Sequence, residues 1–407
     1  MKNRLLKNTL MLYLLTAAKI ILPLVTLPYL TRTLNESTYG VVAYVKAFMS
    51  YVQLFIDFGF VLSATKHVTL AKGNKNELGK IVSDTITEKL ILGGGTFCAL
   101  LLCMFFIPLL KENALFAILY FVSILLSVFL ADFYFRGIEK MEMVSIPYII
   151  SKTASTVLTL VLIKSDNDIM MIPVLEIVGT LVACVFVIAF LFKDRLPFSV
   201  SNIRVLLRDI KESFVFFASN FATTFLGSFT TIIAGAALPT REIAYWSVCM
   251  QLVSAVKVMY SPITNSLYPD MLQNPRKRTL SKAMKIIMPL VVAGCVFTFV
   301  CARIIVTILG GAKYAVAADT LRLLIPILFF SFPSMLYGWP ALGAIGKEKQ
   351  ATFTTVIAAV FQIASMALLL MIQSISLKAL AISCGMAECV LLISRYYYYR
   401  KNISLFK

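Results

Sequence analysis

The strongest constraint on this chain is a series of about twelve apolar runs, each long enough to cross a lipid bilayer as a helix. A helix needs roughly 20 apolar residues to span the hydrocarbon core. The predicted spans cover residues 11–31, 40–62, 89–110, 114–135, 145–164, 169–192, 213–237, 243–268, 285–309, 317–341, 352–373 and 378–395. The loops between them are too short to fold as domains. The sequence therefore predicts an all-α membrane protein with about twelve transmembrane helices.

Composition excludes several other classes of protein. Apolar residues make up 59% of the 407 residues and charged residues only 14%, whereas a soluble chain would be about half apolar and about a quarter charged. The single histidine, His67, and eight cysteines without a C-x-x-C pair argue against a metal site, a disulfide framework or a catalytic histidine. We expect no cofactor, no metal and no catalytic residue.

The net charge of +18 is distributed unevenly between the loops. Of 38 Lys and Arg residues, 26 fall in segments that face one side of the membrane and six in segments that face the other. Because basic residues accumulate on the cytoplasmic side, this asymmetry predicts that both termini are cytoplasmic. It also explains the charge without a nucleic-acid partner. The basic loop 193–212 suggests two six-helix bundles, residues 1–200 and 201–407, as in transporters built from two repeats.

Six basic residues remain inside the predicted spans. They are Lys19, Lys46, Lys152, Lys257, Arg303 and Arg322. A charge at the bilayer centre costs at least about 2.5–3.5 kcal/mol, so these side chains should face protein or a water-filled cavity. The alternative is snorkelling, in which a long side chain carries its charge to the interface.

Polar residues recur on the same helix faces as these lysines. In the second span Lys46, Gln53 and Asp57 are spaced at i, i+7 and i+11, which returns to one face of a helix. Similar stripes elsewhere indicate a basic cavity suited to an anionic substrate such as a phosphate or pyrophosphate. The residues predicted to bind substrate are Lys19, Lys46, Lys152, Lys257, Gln53, Asn220, Gln251 and Asn265.

Acidic residues are fewer in the spans. They are Asp57, Asp132, Glu176 and Glu388. Glu176 lies in an apolar stretch and is the better candidate for ion coupling, with the proton as the candidate ion and Asp57 as a second candidate residue. For Asp57 and Asp132, near the predicted inner ends of their spans, pairing with a lysine or arginine is the simpler explanation.

Several short segments resemble the Wzx-type flippases of O-antigen and other polysaccharides, in the polysaccharide biosynthesis protein family. They are PYLTRTL at 28–34, YG at 39–40, DFGFVLSAT at 57–65, FRGIEKM at 135–141 and PITNSLYP at 262–269. Taken together and in order, they extend the resemblance over most of the chain.

The resemblance implies the fold of the multidrug/oligosaccharidyl-lipid/polysaccharide exporter superfamily, a V-shaped pair of six-helix bundles with alternating access. It also implies a substrate, undecaprenyl-diphosphate-linked oligosaccharide, moved across the bacterial cytoplasmic membrane during surface polysaccharide assembly. Polysaccharide polymerase and chain-length machinery would be partners. Because cavity residues differ between family members, the resemblance assigns no site residue.

Three alternatives to this function remain open. A small-molecule or drug antiporter of the same superfamily would be expected to bind cations through acidic residues, whereas the spans here contain six basic and four acidic residues. A membrane enzyme such as a polymerase or glycosyltransferase would show a large outer loop or a D-x-D motif. No large outer loop is present, and the one D-x-D sequence, Asp166 to Asp168, lies in the short predicted outer loop between the spans 145–164 and 169–192. A structural scaffold would not need charges in its interior. A transporter, rather than an enzyme, is therefore expected.

Overall fold

The structure, a computed structural model, describes residues 2–194 and 196–406. The side chains of residues 2–6, 219, 222, 223, 226 and 269 are not described. Almost all described residues are helical, and none of them lies in a β-strand. The predicted all-α class is therefore confirmed. Two basic residues on the side expected to be cytoplasmic, Arg195 and Lys407, lie outside the described residues, as does the side chain of Pro269 in the last family-like segment.

Two compact units divide the chain. Unit 1 comprises Met1–Leu34 and Tyr44–Thr224, and unit 2 comprises Asn35–Ala43 and Phe225–Lys407. The short segment Asn35–Ala43, although early in the sequence, belongs to unit 2. The domain boundary expected near residue 200 stays a prediction.

Ten helices begin in the first half of the chain. They are α1 (Lys2–Thr33), α2 (Glu36–Asp57), α3 (Phe60–Leu70), α4 (Lys75–Phe106), α5 (Pro108–Glu112), α6 (Ala114–Leu126), α7 (Asp132–Gly137), α8 (Glu142–Leu162), α9 (Met171–Lys193) and α10 (Ile203–Ala237). Short 3₁₀ turns at Ser127–Leu130 and Asp166–Met170 join α6 to α7 and α8 to α9. In unit 1, α8 packs against α1 and α9, α6 against α9, and α3 against α7.

Five helices follow in unit 2. They are α11 (Thr240–Gln273), α12 (Lys277–Gly310), α13 (Ala318–Leu336), α14 (Glu348–Met371) and α15 (Leu377–Lys401). After α13 a π-helical turn at Tyr337–Leu342 contains a non-helical residue, Gly338. Within this unit α13 packs against α11, α12 and α15, and α14 packs against α15. Helix α13 therefore has the most neighbours and forms the centre of unit 2.

The predicted number of spans agrees with the helices. Eleven helical segments of the described chain are long and apolar enough to cross a membrane. Helix α10 corresponds to the remaining predicted span, 213–237, and its last residues, Gly227–Ala237, form a shorter apolar helix. Two predicted spans consist of two helices each, since α2 continues into α3 and α6 into α7. The chain is a multi-pass membrane protein.

A break at Phe58 and Gly59 divides the second span into α2 and α3. Both residues have positive φ angles, 39° at Phe58 and 81° at Gly59. A Cβ atom at Gly59 would stand 2.7 Å from Cβ of Phe216 and 2.8 Å from the backbone nitrogen of Phe217. Glycine is therefore required both by the left-handed backbone and by the close approach of α10. This explains the glycine of the DFG sequence at 57–59.

A second close approach explains the glycine of the YG pair at 39–40. A Cβ atom at Gly40 would stand 1.9 Å from the backbone oxygen of Thr240, at the start of α11. Both residues belong to unit 2. The first turns of α2 can lie against the first turn of α11 only because residue 40 has no side chain.

We expect Gly59→Ala to lower the free energy of unfolding by about 1–3 kcal/mol, because alanine would be strained at this φ and would clash with α10. The measurement is the apparent melting temperature of the purified chain in detergent, followed by circular dichroism. Gly94→Ala is the matched control, because a Cβ atom at Gly94 meets no atom within 4 Å. Equal melting temperatures for the two variants would contradict this explanation.

Candidate functional site

Two of the predicted lysines meet in unit 1 around one carboxylate. Lys152 of α8 forms an ion pair with Glu176 of α9, which joins two helices that pack side by side. Lys46 of α2 lies within electrostatic range of both residues. Its ammonium group is 6.0 Å from the ring centroid of Tyr120, a distance that permits a weak cation–π interaction. Among the described residues Glu176 is ion-paired with Lys152 alone, and with Lys46 nearby the net charge of these three groups is positive.

Lys19 of α1 lies close to the same group. Its ammonium is 5.2 Å from the ring centroid of Tyr148 on α8. Asp132 is the charged group that acts on it most strongly, and Lys152 also lies within electrostatic range. The residues Lys19 and Lys46 are both exposed on the protein surface, although they lie on membrane-spanning helices. No described carboxylate lies within ion-pair distance of either lysine. The structure therefore brings Lys19, Lys46 and Lys152 into one region and leaves two of the three available to an anion.

A second ion pair lies at the end of the polar stripe of α2. Lys89 of α4 donates to Oδ1 of Asp57 at 2.8 Å, and the amide of Gln53 donates to Oδ2 of the same residue at 2.7 Å. Ser127 can donate to the amide oxygen of Gln53 at 3.5 Å. Gln53 and Asp57 are thus neighbours, as the helical spacing predicts, and Asp57 has the basic partner that its position suggested.

Lys89 is the first residue of the predicted span 89–110 and counts among the basic residues expected on the cytoplasmic side, and the structure buries it. Only 5% of its surface is exposed, and it lies on the uninterrupted helix α4, which begins at Lys75. The apolar run that marks the span begins after Lys89, so apolar content alone placed the helix start too late. The signal that could have identified the earlier helix start is a polar face. At helical spacing one side carries Asp84, Thr85, Glu88 and Lys89.

Lys257 occupies a separate polar network in unit 2. It donates to Oε2 of Glu388 at 3.0 Å, which joins α11 to α15. The other carboxylate oxygen accepts from Ser331 at 2.9 Å and from Ser334 at 3.2 Å, both on α13. Glu388 therefore has every oxygen paired, and Lys257 is already neutralised by a carboxylate. The serines were not predicted from the sequence.

Arg395 extends this network by one more helix. It donates through Nη1 to the backbone oxygen of Ser334 at 2.8 Å and through Nη2 to the hydroxyl of Thr355 at 3.1 Å. Arg395 is the last residue of the predicted span 378–395 and counts among the basic residues expected on the cytoplasmic side. The structure places it within α15, in contact with α13 and α14. One arginine with its planar fork of donors can bond several helices at once.

The remaining predicted site residues are less tightly placed. Asn220 on α10 and Asn265 on α11 are exposed, and Gln251 on α11 is partly buried. Of the other charged residues in the spans, Arg303 is exposed, and Arg322 forms an ion pair with Asp319 at 2.7 Å, one helical turn away. This local pair is consistent with the snorkelling alternative for Arg322.

The possible ion-coupling role of Glu176 and Asp57 stays a prediction. Each carboxylate has a lysine partner, Lys152 and Lys89 respectively. Within the part of the chain that the structure describes, no group of three His, Cys, Asp or Glu side chains is arranged to hold a metal ion.

The chemistry of unit 1 favours an anion. Ammonium groups exposed from transmembrane helices are costly in contact with hydrocarbon, and a phosphate group placed beside them would compensate their charge. Neutral amides and hydroxyls of the same unit, such as those of Gln53 and Ser127, are groups that can bond polar parts of a ligand.

Comparison with known proteins gives a consistent result. A family described as polysaccharide biosynthesis protein matches residues 5–274. A protein of Shigella dysenteriae named "Putative O-antigen transporter" is 28% identical over 357 residues, which cover 84% of this chain and 87% of that protein.

Two solved structures share the fold. A lipid II flippase, MurJ in an inward closed conformation, aligns with a TM-score of 0.74 and 12% identity over 97% of this chain and 87% of that one. A multidrug resistance MATE family transporter of the MOP superfamily, in an inward-facing conformation, aligns with a TM-score of 0.67 and 17% identity over 95% of this chain and 98% of that one. The chain therefore belongs to the polysaccharide biosynthesis protein family, as its resemblance to Wzx-type flippases predicted, and has the transmembrane fold of these transporters.

Proposed function

We propose that this protein is a flippase that moves undecaprenyl-diphosphate-linked oligosaccharide across the bacterial cytoplasmic membrane for assembly of O-antigen or another surface polysaccharide. The observation that carries the proposal is the pair of exposed lysines, Lys19 and Lys46, which lie on membrane-spanning helices of unit 1 and form no described ion pair. Family membership supports a role in polysaccharide synthesis. Similarity to a protein named as an O-antigen transporter supports a polysaccharide precursor as the substrate.

The diphosphate is the part of such a lipid that most needs compensation in the membrane. Its negative charges would cost several kcal/mol each if they entered hydrocarbon without a partner. We propose that Lys19, Lys46 and Lys152 bind it, with Glu176 limiting their net charge so that release remains possible. A site that bound the diphosphate with every charge unopposed would hold the substrate too tightly for turnover.

Sugar hydroxyls require donors and acceptors rather than charge. We propose Gln53 and Asn220 in unit 1, and Gln251 and Asn265 in unit 2, as their hydrogen-bond partners. The polyprenyl chain remains in lipid during the cycle. Substrate binding shifts the protein between states open to either side of the membrane, since a ligand biases whichever state it binds better.

Lys257 is proposed as a further phosphate contact in unit 2. Its pairing with Glu388 means that any phosphate contact competes with an existing carboxylate. The product on the outer side would pass to polysaccharide polymerase and chain-length machinery, which we propose as partners. No chemical step is needed for this transfer, and the proposal assigns no catalytic residue.

We expect Lys19→Gln with Lys46→Gln to lower the flipping rate at least tenfold, because the diphosphate then loses two of its compensating charges; a tenfold loss corresponds to about 1.4 kcal/mol. The assay uses proteoliposomes containing the purified chain and a fluorescent undecaprenyl-diphosphate oligosaccharide. A membrane-impermeant reductant bleaches the label that has reached the outer leaflet.

Two matched variants control this experiment. Lys19→Arg with Lys46→Arg retains the charge and should retain most of the rate. Lys111→Gln with Lys378→Gln removes the same charge from exposed residues outside the proposed site and should leave the rate unchanged. Undiminished flipping by the double glutamine variant would move the site elsewhere. Uptake of small cations by the wild type, with no flipping of any lipid-linked sugar, would favour the antiporter alternative.

A second prediction separates binding from stability at Lys257. The single variant Lys257→Gln should lower the free energy of unfolding by about 1–3 kcal/mol, because Glu388 is 10% exposed and loses its only ionised donor among the described residues. The pair Lys257→Gln with Glu388→Gln should recover much of this loss, since no charge then remains unpaired.

Melting temperatures and flipping rates of these variants are to be measured together. A phosphate contact at Lys257 predicts that the double variant is stable but slow. A double variant that is both stable and fully active would show that the pair serves only to join α11 to α15.

A further inference from the structure

A small cavity lies at one end of unit 1, away from the lysines proposed to bind substrate. Its volume is ≈ 30 Å³, and α3, α4 and α10 supply its walls. The lining residues are Phe60, Ser63, Ala64, His67, Ile81, Asp84, Thr85, Glu88, Asp209 and Ser213. The sequence predicts this end of the helices to be cytoplasmic, because it adjoins the basic loops.

Glu88 is the unusual member of this lining. Only 2% of its surface is exposed, and its Oε1 atom has no hydrogen-bond partner among the described residues. A carboxylate buried without a donor is costly, and native proteins rarely leave one so. The neighbouring basic residue in sequence, Lys89, is already paired with Asp57. A positive charge is therefore missing at Glu88.

The surrounding charges increase this need. The charged groups that interact most strongly with Glu88 are both acidic, Asp84 on the same helix and Asp209 on α10. Asp84 accepts from the backbone nitrogen and the hydroxyl of Ser201, at 2.6 Å each, so its oxygens are occupied. Arg208 contacts Asp209 at 3.3 Å, but from an exposed position. His67 of α3 is the one lining residue that can become positively charged.

The remaining polar groups of the cavity are hydroxyls. Ser63 on α3 and Ser213 on α10 lie with their oxygens 2.7 Å apart, and Thr85 lies one helical turn before Glu88. One carboxylate with several neutral oxygens is a donor set for a hard cation of low charge. A divalent metal would need further carboxylates, and no three acidic, histidine or cysteine side chains of the described chain are placed to supply them.

We propose that this cavity binds a monovalent cation, with the Glu88 carboxylate as its anionic ligand and the hydroxyls of Thr85, Ser63 and Ser213 around it. The cation compensates the buried charge and ties α10 to α3 and α4. It can be Na⁺ or K⁺, which both take carboxylate and hydroxyl oxygens as ligands. None of the lysines proposed to bind phosphate lines this cavity, so the cation proposal can be tested independently of the transported lipid.

The test is the apparent melting temperature of the purified full-length chain in detergent without substrate. NaCl, KCl and choline chloride are compared from 1 to 300 mM, with choline added to hold ionic strength constant. Because a ligand that binds the folded state raises its stability, Na⁺ or K⁺ should raise the melting temperature by about 2–5 °C over choline. The rise should be absent in Glu88→Gln.

A protonated Glu88 without a bound cation gives a different pattern and would overturn the proposal. The three salts would then act alike, and lowering the pH from 8 to 6 in choline would raise the melting temperature of the wild type more than that of Glu88→Gln. The comparison is repeated in a His67→Gln background, because His67 also lines the cavity. A difference that persists there belongs to Glu88.

Two further variants keep the proposal falsifiable. Glu77→Gln removes the same charge from an exposed residue in the first turn of α4 and should retain the full cation response. Ser213→Ala leaves Glu88 in place and should shift the cation midpoint at least threefold higher, which replaces Glu88→Gln if that variant does not fold. Identical responses of the wild type, Glu88→Gln and Ser213→Ala to all three salts and to pH would overturn the proposal.

Discussion

Charge compensation between helices is the interaction on which the rest of this structure depends. A charged side chain in a transmembrane helix is tolerated when a partner or water lies beside it, so each ion pair also fixes two helices relative to each other. Lys152 and Glu176 join α8 to α9, and Lys89 and Asp57 join α4 to α2. In unit 2 the pair of Lys257 and Glu388 joins α11 to α15, and two serines of α13 donate hydrogen bonds to the other carboxylate oxygen. The polar residues therefore organise the bundles as well as supply candidate sites.

The same rule identifies the groups that remain available for function. Lys19 and Lys46 contact aromatic rings but no described carboxylate within ion-pair distance, which leaves their charges available to an anionic ligand. Glu88 presents the reverse case, a buried carboxylate without a described donor. Both features are costly unless something else compensates them. A lipid diphosphate for the lysines and a monovalent cation for Glu88 are compensations of the required sign.

The fold was largely predictable from the sequence, because the spacing of long apolar runs specifies transmembrane helices almost directly. The pairing of Gln53 with Asp57 was also predictable, since their i and i+4 positions place them on one helix face. Partners from distant segments could not be predicted in this way. Nothing in the sequence indicates that Lys152 pairs with Glu176 rather than with another acidic residue. Nor does it indicate that Arg395, near the end of the last helix, forms hydrogen bonds with α13 and α14. Lys89 was misplaced because apolar content alone sets the start of a span too late.

The central claim is that the exposed lysines of unit 1 recognise the charge of a lipid diphosphate, and binding measured as a function of headgroup charge tests it most directly. Purified chain in nanodiscs would be titrated with undecaprenyl diphosphate, undecaprenyl phosphate and undecaprenol at two salt concentrations. The account predicts that affinity falls at least tenfold with each loss of phosphate and weakens as salt increases, because screening reduces the attraction. Equal affinity for all three lipids, unaffected by salt, would contradict it.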